Sequence, residues 1–289
     1  MKKTLEMENN FTKIKLSNGQ HVNCYVKDNL KKWTLLFVHG INSSSDFGKD
    51  IYELENNFNI VSINFPGSKY SNDLNSLEID YFNSVASQTL SKISSKKIAL
   101  VGHSLGGATI SKLGANKNIK KLFFISTLNP YMIKSPSWDL AKEVLSSDSI
   151  GGKIRKSIVK VGISLYSKFS ELDVSVKDFL DISGKNYKIV NNYILNKEYM
   201  ENTLHQQYMS VKNKESYFYI GSEDKIITPK LFIKYIKENL DQEVSIVENC
   251  GHSPLHEKYE YMHKEINDKI PNKNSLIRKI LKKPLIKII

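Results

Sequence analysis

Two cysteines, Cys24 and Cys250, are all that this chain of 289 residues holds. That is too few for a disulfide framework, so the fold must rest on its core, and a reducing cytosol is the expected compartment. Long apolar runs are also missing: no stretch approaches the roughly 20 residues that a membrane-spanning helix needs. Residues 1–10 lack the apolar region of a secretory signal, so export by a standard signal is not expected. No internal repeat or low-complexity tract stands out, which removes solenoids and fibrous arrays from consideration. The charge excess, a formal +12, comes without a recognised nucleic-acid-binding motif, and nucleic-acid binding is not expected. What the chain does have is 40% apolar residues over this length, enough to bury one sizeable core.

The most informative stretch is Ile98-Ala-Leu-Val-Gly102-His103-Ser104-Leu105-Gly106-Gly107. An apolar β-type run feeds directly into Gly-x-Ser-x-Gly and then into a helix-forming segment, the pattern of a nucleophile elbow. A serine hydroxyl is a poor nucleophile unless a turn presents it and a base takes its proton. At Gly102 and Gly106 a Cβ would crowd such a turn. The helix expected over residues 106–115 would aim its N-terminal amides at the space above Ser104, where an anion is favoured.

Alone, the five-residue motif is a weak signal, and its surroundings sharpen it. Trp33-Thr-Leu-Leu-Phe-Val-His39-Gly40-Ile41-Asn42 is a second apolar strand, ending in His-Gly and a polar loop. Tyr217-Phe-Tyr-Ile-Gly221-Ser222-Glu223-Asp224 is a third, ending in acids, and Val244-Ser-Ile-Val-Glu248-Asn-Cys250-Gly251-His252 is a fourth, ending in Gly-His. Serine, acid and histidine each just past a strand, in that chain order, resemble the α/β-hydrolase family over residues 11–270. The resemblance implies Ser104 as nucleophile, His252 as general base and later acid, and Asp224 as the carboxylate that orients His252. It also implies an oxyanion hole from the backbone amides of Ile41 and Leu105, with no metal or organic cofactor. The loop reads His-Gly-Ile-Asn, without the extra glycines of some lipases and esterases, which leaves the width of the acyl pocket open.

Several positions keep rivals. Glu223 competes with Asp224 for the acid role, and His256 competes with His252. Ser104 would also suit an ordinary helix N-cap. His39 and His103 read as structural, and Cys250 reads as packing.

The order of elements is an edge hairpin (strands 11–16 and 21–27 around Asn18-Gly19), then alternating strands and helices up to residue 127. That alternation predicts an α/β fold: a mostly parallel central sheet with helices on both faces. Residues 1–128 and 215–271 form the expected core, and residues 129–214 read as a helical cap over the site. Two segments are basic and free of acid. Residues 151–170 hold Lys153, Arg155, Lys156, Lys160 and Lys168, while the tail, 272–289, holds Lys273, Arg278, Lys279, Lys282, Lys283 and Lys287. Both interleave aliphatic side chains, in the tail Ile277, Ile280, Leu281 and Leu285, so peripheral contact with an anionic membrane surface is an expectation, against a packed helix and a solvated tail. The activity expected is hydrolysis of a carboxylic ester, lipid-like or acylglycerol by preference. A peptidase or amidase of the same fold, such as a proline iminopeptidase, and a non-catalytic binding protein are the alternatives.

Overall fold

A computed structural model describes residues 10–41, 43–71, 78–135, 138–139 and 189–287. The basic segment 151–170 and most of the expected cap lie outside the described residues.

Eight strands form one sheet in the order β1-β2-β4-β3-β5-β6-β7-β8. They are β1 (Phe11–Lys15), β2 (His21–Lys27), β3 (Trp33–Val38), β4 (Phe58–Ile63), β5 (Lys97–His103), β6 (Ile119–Ile125), β7 (Glu215–Gly221) and β8 (Val244–Val247). The hairpin β1-β2 sits at the edge, antiparallel, with β2 antiparallel to β4 and every later pairing parallel. Helices α1 (Lys49–Glu53), α2 (Ile79–Lys92), α3 (Gly106–Gly114), α4 (His205–Ser210) and α5 (Pro229–Tyr235) lie between the parallel strands, and α6 (Pro254–Glu257), α7 (Tyr259–Lys269) and α8 (Leu276–Ile280) follow β8.

The central strands read as nearly continuous apolar runs because both faces of the sheet are covered. Successive side chains point to opposite sides. Leu36, Val38, Leu100, Leu122 and Phe124 join the core that packs on α2, α3 and α5. Their neighbours Leu35, Phe37, Ala99, Phe123 and Ile125 join a second core with Ile51 and Tyr52 of α1 and Met262 and Ile266 of α7. The sheet is thus the middle layer of three, as the alternation of elements predicts.

The tail is docked. Lys31 pairs with Asn274 and Ile93 with Ile286 in short antiparallel bridges. Arg278 is buried beside Asp28, and Leu285 and Ile286 belong to the main core. The aliphatic positions that look like one stripe in the sequence therefore divide: Leu285 is inside, whereas Ile280 and Leu281 are exposed.

Candidate active site

Parallel strands gather their C-terminal ends along one side of the sheet, and the loops leaving β3, β5, β7 and β8 meet there. Ser104 follows β5 directly at φ 53°, a left-handed conformation that costs a non-glycine residue of order 1–3 kcal/mol. The fold holds it there: the Ser104 amide donates to the Ile125 carbonyl at 3.2 Å, and the Ser104 carbonyl accepts from the Gly107 and Leu128 amides at 3.0 Å each. The flanking glycines are required by close approach. A Cβ on Gly106 would stand 2.2 Å from the Val38 carbonyl oxygen, and one on Gly102 would meet Ile110 at 2.8 Å. Ser104 ends up half-buried at the N-terminus of α3, facing open space.

After β7 the chain turns so that Asp224 points inward and Glu223 outward. The Asp224 Oδ1 accepts from the Ile226 and Ile227 amides at 2.9 and 2.8 Å, a local turn that aspartate favours. Its Oδ2 lies 2.9 Å from His252 Nδ1, with both side chains buried. Glu223 contributes its backbone amide, which donates to the Cys250 carbonyl. Of the two candidate histidines, His252 is the buried one, while His256 is exposed and pairs with Asp50 at 2.8 Å.

The loop carrying His252 is held from two sides. Glu257 of α6 accepts from the Gly251 amide at 2.6 Å and from the Ser253 amide at 2.8 Å. His103 Nε2 donates to the His252 carbonyl at 2.7 Å, and the two rings lie 4.8 Å apart. Neither contact was evident from the sequence. An acid one helical turn beyond Gly-His, on a helix opened by Pro254, was the available sign of the first.

His39 organises the loop after β3. The Phe65 amide donates to its Nε2 at 3.1 Å, which makes that nitrogen the acceptor. Nδ1 therefore carries the hydrogen and donates to the Gly40 carbonyl at 2.7 Å. Burial pushes the His39 pKa down to about 4, against the opposing effect of the Gly40 bond, so the ring stays neutral and fixes the start of the Gly40-Ile41 loop. Cys250 is buried too, and its thiol is pushed up to about 12 by burial and by the nearby Glu257 carboxylate, which keeps it protonated.

Ser104, His252, Ile41 and Leu105 all line one cavity of about 440 Å³. The Ile41 and Leu105 amides are engaged by no hydrogen bond among the described residues. Most of the wall is apolar, Leu128, Met132, Ile194, Ile226, Ile227 and Leu255 contributing to it, and Lys49, Lys69 and Asp46 line the cavity as well. Met132 and Ile194 come from the region between β6 and β7, where the cap is expected. No described His, Cys, Asp or Glu cluster is placed to hold a metal ion. A hydroxyl on a strained turn, an imidazole held by a buried carboxylate, and two unengaged amides over an apolar cavity are groups able to carry out acyl transfer.

A profile described as the alpha/beta hydrolase fold matches residues 34–259. A Mycoplasma pneumoniae protein that carries the name "Putative esterase/lipase 2" is 23% identical over 79% of this chain and 85% of its own length. Among solved structures, an esterase from Exiguobacterium antarcticum superposes with a TM-score of 0.62 at 14% identity, over 90% of this chain and 98% of that one. A bromoperoxidase from Bacillus anthracis does so with a TM-score of 0.60 at 17% identity, over 89% and 98%. The last two likenesses concern the fold, which serves more than one chemistry. With the profile spanning the elbow, the acid and the histidine on this sheet, the chain belongs to the alpha/beta hydrolase fold family.

Proposed function

We propose that this chain is a serine hydrolase that cleaves carboxylic esters through an acyl-enzyme. His252 takes the proton of Ser104 as its Oγ attacks the ester carbonyl, and Asp224 holds the ring in the required tautomer and stabilises the imidazolium. The Ile41 and Leu105 amides receive the developing oxyanion. The tetrahedral intermediate collapses, the alcohol leaves with the proton from His252, and a water activated by His252 then releases the acid and restores Ser104. The observation that carries this reading is the buried Asp224–His252 hydrogen bond beside a left-handed Ser104, with His252 and Ser104 lining the same cavity.

The aliphatic wall supports an apolar acyl group, hence a lipid-like ester. The tail adds nothing to that preference, because it docks on residues that precede β3 and β5, at the far ends of those strands.

Steady-state turnover of p-nitrophenyl esters of graded acyl length, beside aminoacyl-p-nitroanilides, tests the proposal. Each buried methylene contributes about 0.8 kcal/mol, so kcat/KM should climb severalfold per added methylene from acetyl until the cavity is full. Anilides should turn over slowly or not at all. Anilide hydrolysis that outpaces every ester, or no ester hydrolysis, would overturn it.

A further inference from the structure

The end of the sheet opposite the cavity has its own chemistry. The adjacent parallel strands β3, β5, β6 and β7 begin there, and lysines precede or open each of them. Lys32, Lys96, Lys97, Lys117 and Lys120 are exposed, with Lys212 and Lys214 half-exposed before β7. Two acids at this end are matched within the fold, Glu215 by Lys121 at 2.5 Å and Asp28 by Arg278. Other exposed acids here are Glu55 before β4, Asp268 near the end of α7, and Asp241 and Glu243 before β8. The tail crosses this basic region at the starts of β3 and β5. The Lys32 amide donates to the Lys273 carbonyl at 2.8 Å and the Ser275 amide to the Leu30 carbonyl at 2.7 Å, and further on the Ser94 and Lys287 amides donate to Leu285 and Lys92 carbonyls at 2.9 Å each.

Between those two pins the chain bulges outward. Ile280 is 76% and Leu281 55% exposed, above the other large apolar side chains exposed among the described residues. Lys279, Lys282 and Lys283 flank them and are exposed too. Buried Arg278, Leu285 and Ile286 on either side make the bulge a built part of the fold.

We propose that this basic face, with Ile280 and Leu281 at its tip, docks on an anionic lipid bilayer and leaves the cavity facing the aqueous phase. Lysines supply attraction to anionic headgroups, and a pair of aliphatic side chains finds an apolar layer just beneath them. A nucleic acid offers no such layer. The aromatic rings at this end cannot stack on bases either, since Trp33 is buried and Tyr217 lies beneath the Lys121 and Lys269 ammonium groups. Strands of six or seven residues, at about 3.3 Å per residue, put roughly 20 Å between this face and the Ser104 end. The proposal goes beyond the esterase reading and stands independently of it.

The test is sedimentation of the full-length protein with vesicles of phosphatidylcholine, with and without about 30% phosphatidylglycerol. Truncating the tail would strip core residues, so exposed positions are substituted instead. The protein should pellet with the anionic vesicles at low salt, stay in solution with the neutral ones, and be released as salt rises. Each lysine near the surface contributes about fivefold, so Lys279→Gln, Lys282→Gln and Lys283→Gln together should weaken partitioning about 100-fold. Ile280→Ser with Leu281→Ser, which leaves the charge unchanged, should weaken it about tenfold or more. A polarity-sensitive dye on Ile280→Cys should be quenched by brominated lipid, and one on Glu223→Cys at the cavity end should not, with Cys24 and Cys250 buried and out of reach. No pelleting at low salt, quenching at 223 instead of 280, or an aliphatic variant that binds vesicles as wild type while the lysine variant loses binding to RNA and vesicles alike, would overturn the proposal.

Discussion

Replacing Asp224 by Asn changes one atom of the site and should disable it. An asparagine keeps Oδ1, and with it the bonds from the Ile226 and Ile227 amides at 2.9 and 2.8 Å. Those two donors would face an NH2 group if the amide were flipped, so the side chain is fixed with its nitrogen where Oδ2 stood, 2.9 Å from His252 Nδ1. Two N–H groups cannot face each other there. His252 must then present Nδ1 as acceptor and carry its hydrogen on Nε2, and an imidazole in that tautomer cannot take a proton from Ser104. Loss of the tautomer in a serine triad is worth about 10⁴ in kcat, or about 5 kcal/mol of transition-state stabilisation. Because Asp224 does not line the cavity, KM should stay within a few-fold, and retention of the two amide bonds should keep the melting temperature near that of the wild type. Glu223→Gln is the control: the side chain is exposed, and kcat should change less than about twofold. Steady-state kinetics on a short p-nitrophenyl ester with a thermal melt reads all of this. More than about a tenth of wild-type kcat remaining in Asp224→Asn, or equal damage from Glu223→Gln, would refute the assignment.

Glu257→Ala removes the carboxylate that straddles His252 and should lower kcat about tenfold at nearly constant KM, with Glu257→Gln recovering part of it; a rise in KM at unchanged kcat would show that the clamp does not serve His252. His39 gives stability a pH dependence. In the unfolded chain it binds a proton near pH 6.5, and in the fold burial holds it near 4. Between those values the unfolded state binds more protons, so stability is full above about 6.5 and falls as pH drops through 4, by about 3 kcal/mol in all. Urea unfolding at pH 7 and below 4 should show His39→Gln less stable at pH 7 but losing less on acidification, and parallel losses would contradict the burial argument. Gly106→Ala drives a Cβ onto the Val38 carbonyl, an overpacking cost of about 1–3 kcal/mol, so its melting temperature should fall by roughly 2–5 °C.

Much of this was readable in advance, for physical reasons that differ by element. Runs such as Trp33–Val38 and the segment leading into Ser104 are legible because strands covered on both faces are apolar at nearly every position. The elbow is legible because only glycine fits where α3 crosses the end of β3. The resemblance favours Asp224 over Glu223, and the reason lies in the turn: adjacent residues leave a strand toward opposite sides, and the bonds from the Ile226 and Ile227 amides carry Asp224 inward. The His103 contact joins residues 149 positions apart, and Arg278 meets Asp28 across 250. Such pairings leave no local periodicity. For the same reason the tail reads from sequence as one amphipathic stripe, although burial of Leu285 and Ile286 beside Ile93 divides it.

The central claim is that Ser104 is the nucleophile, and covalent labelling tests it most directly. A fluorophosphonate probe incubated with the folded protein, followed by peptide mapping, should place one adduct on Ser104, and Ser104→Ala should lose both labelling and ester turnover while melting as the wild type does. An adduct on another residue, or labelling and turnover that persist in Ser104→Ala, would contradict the account.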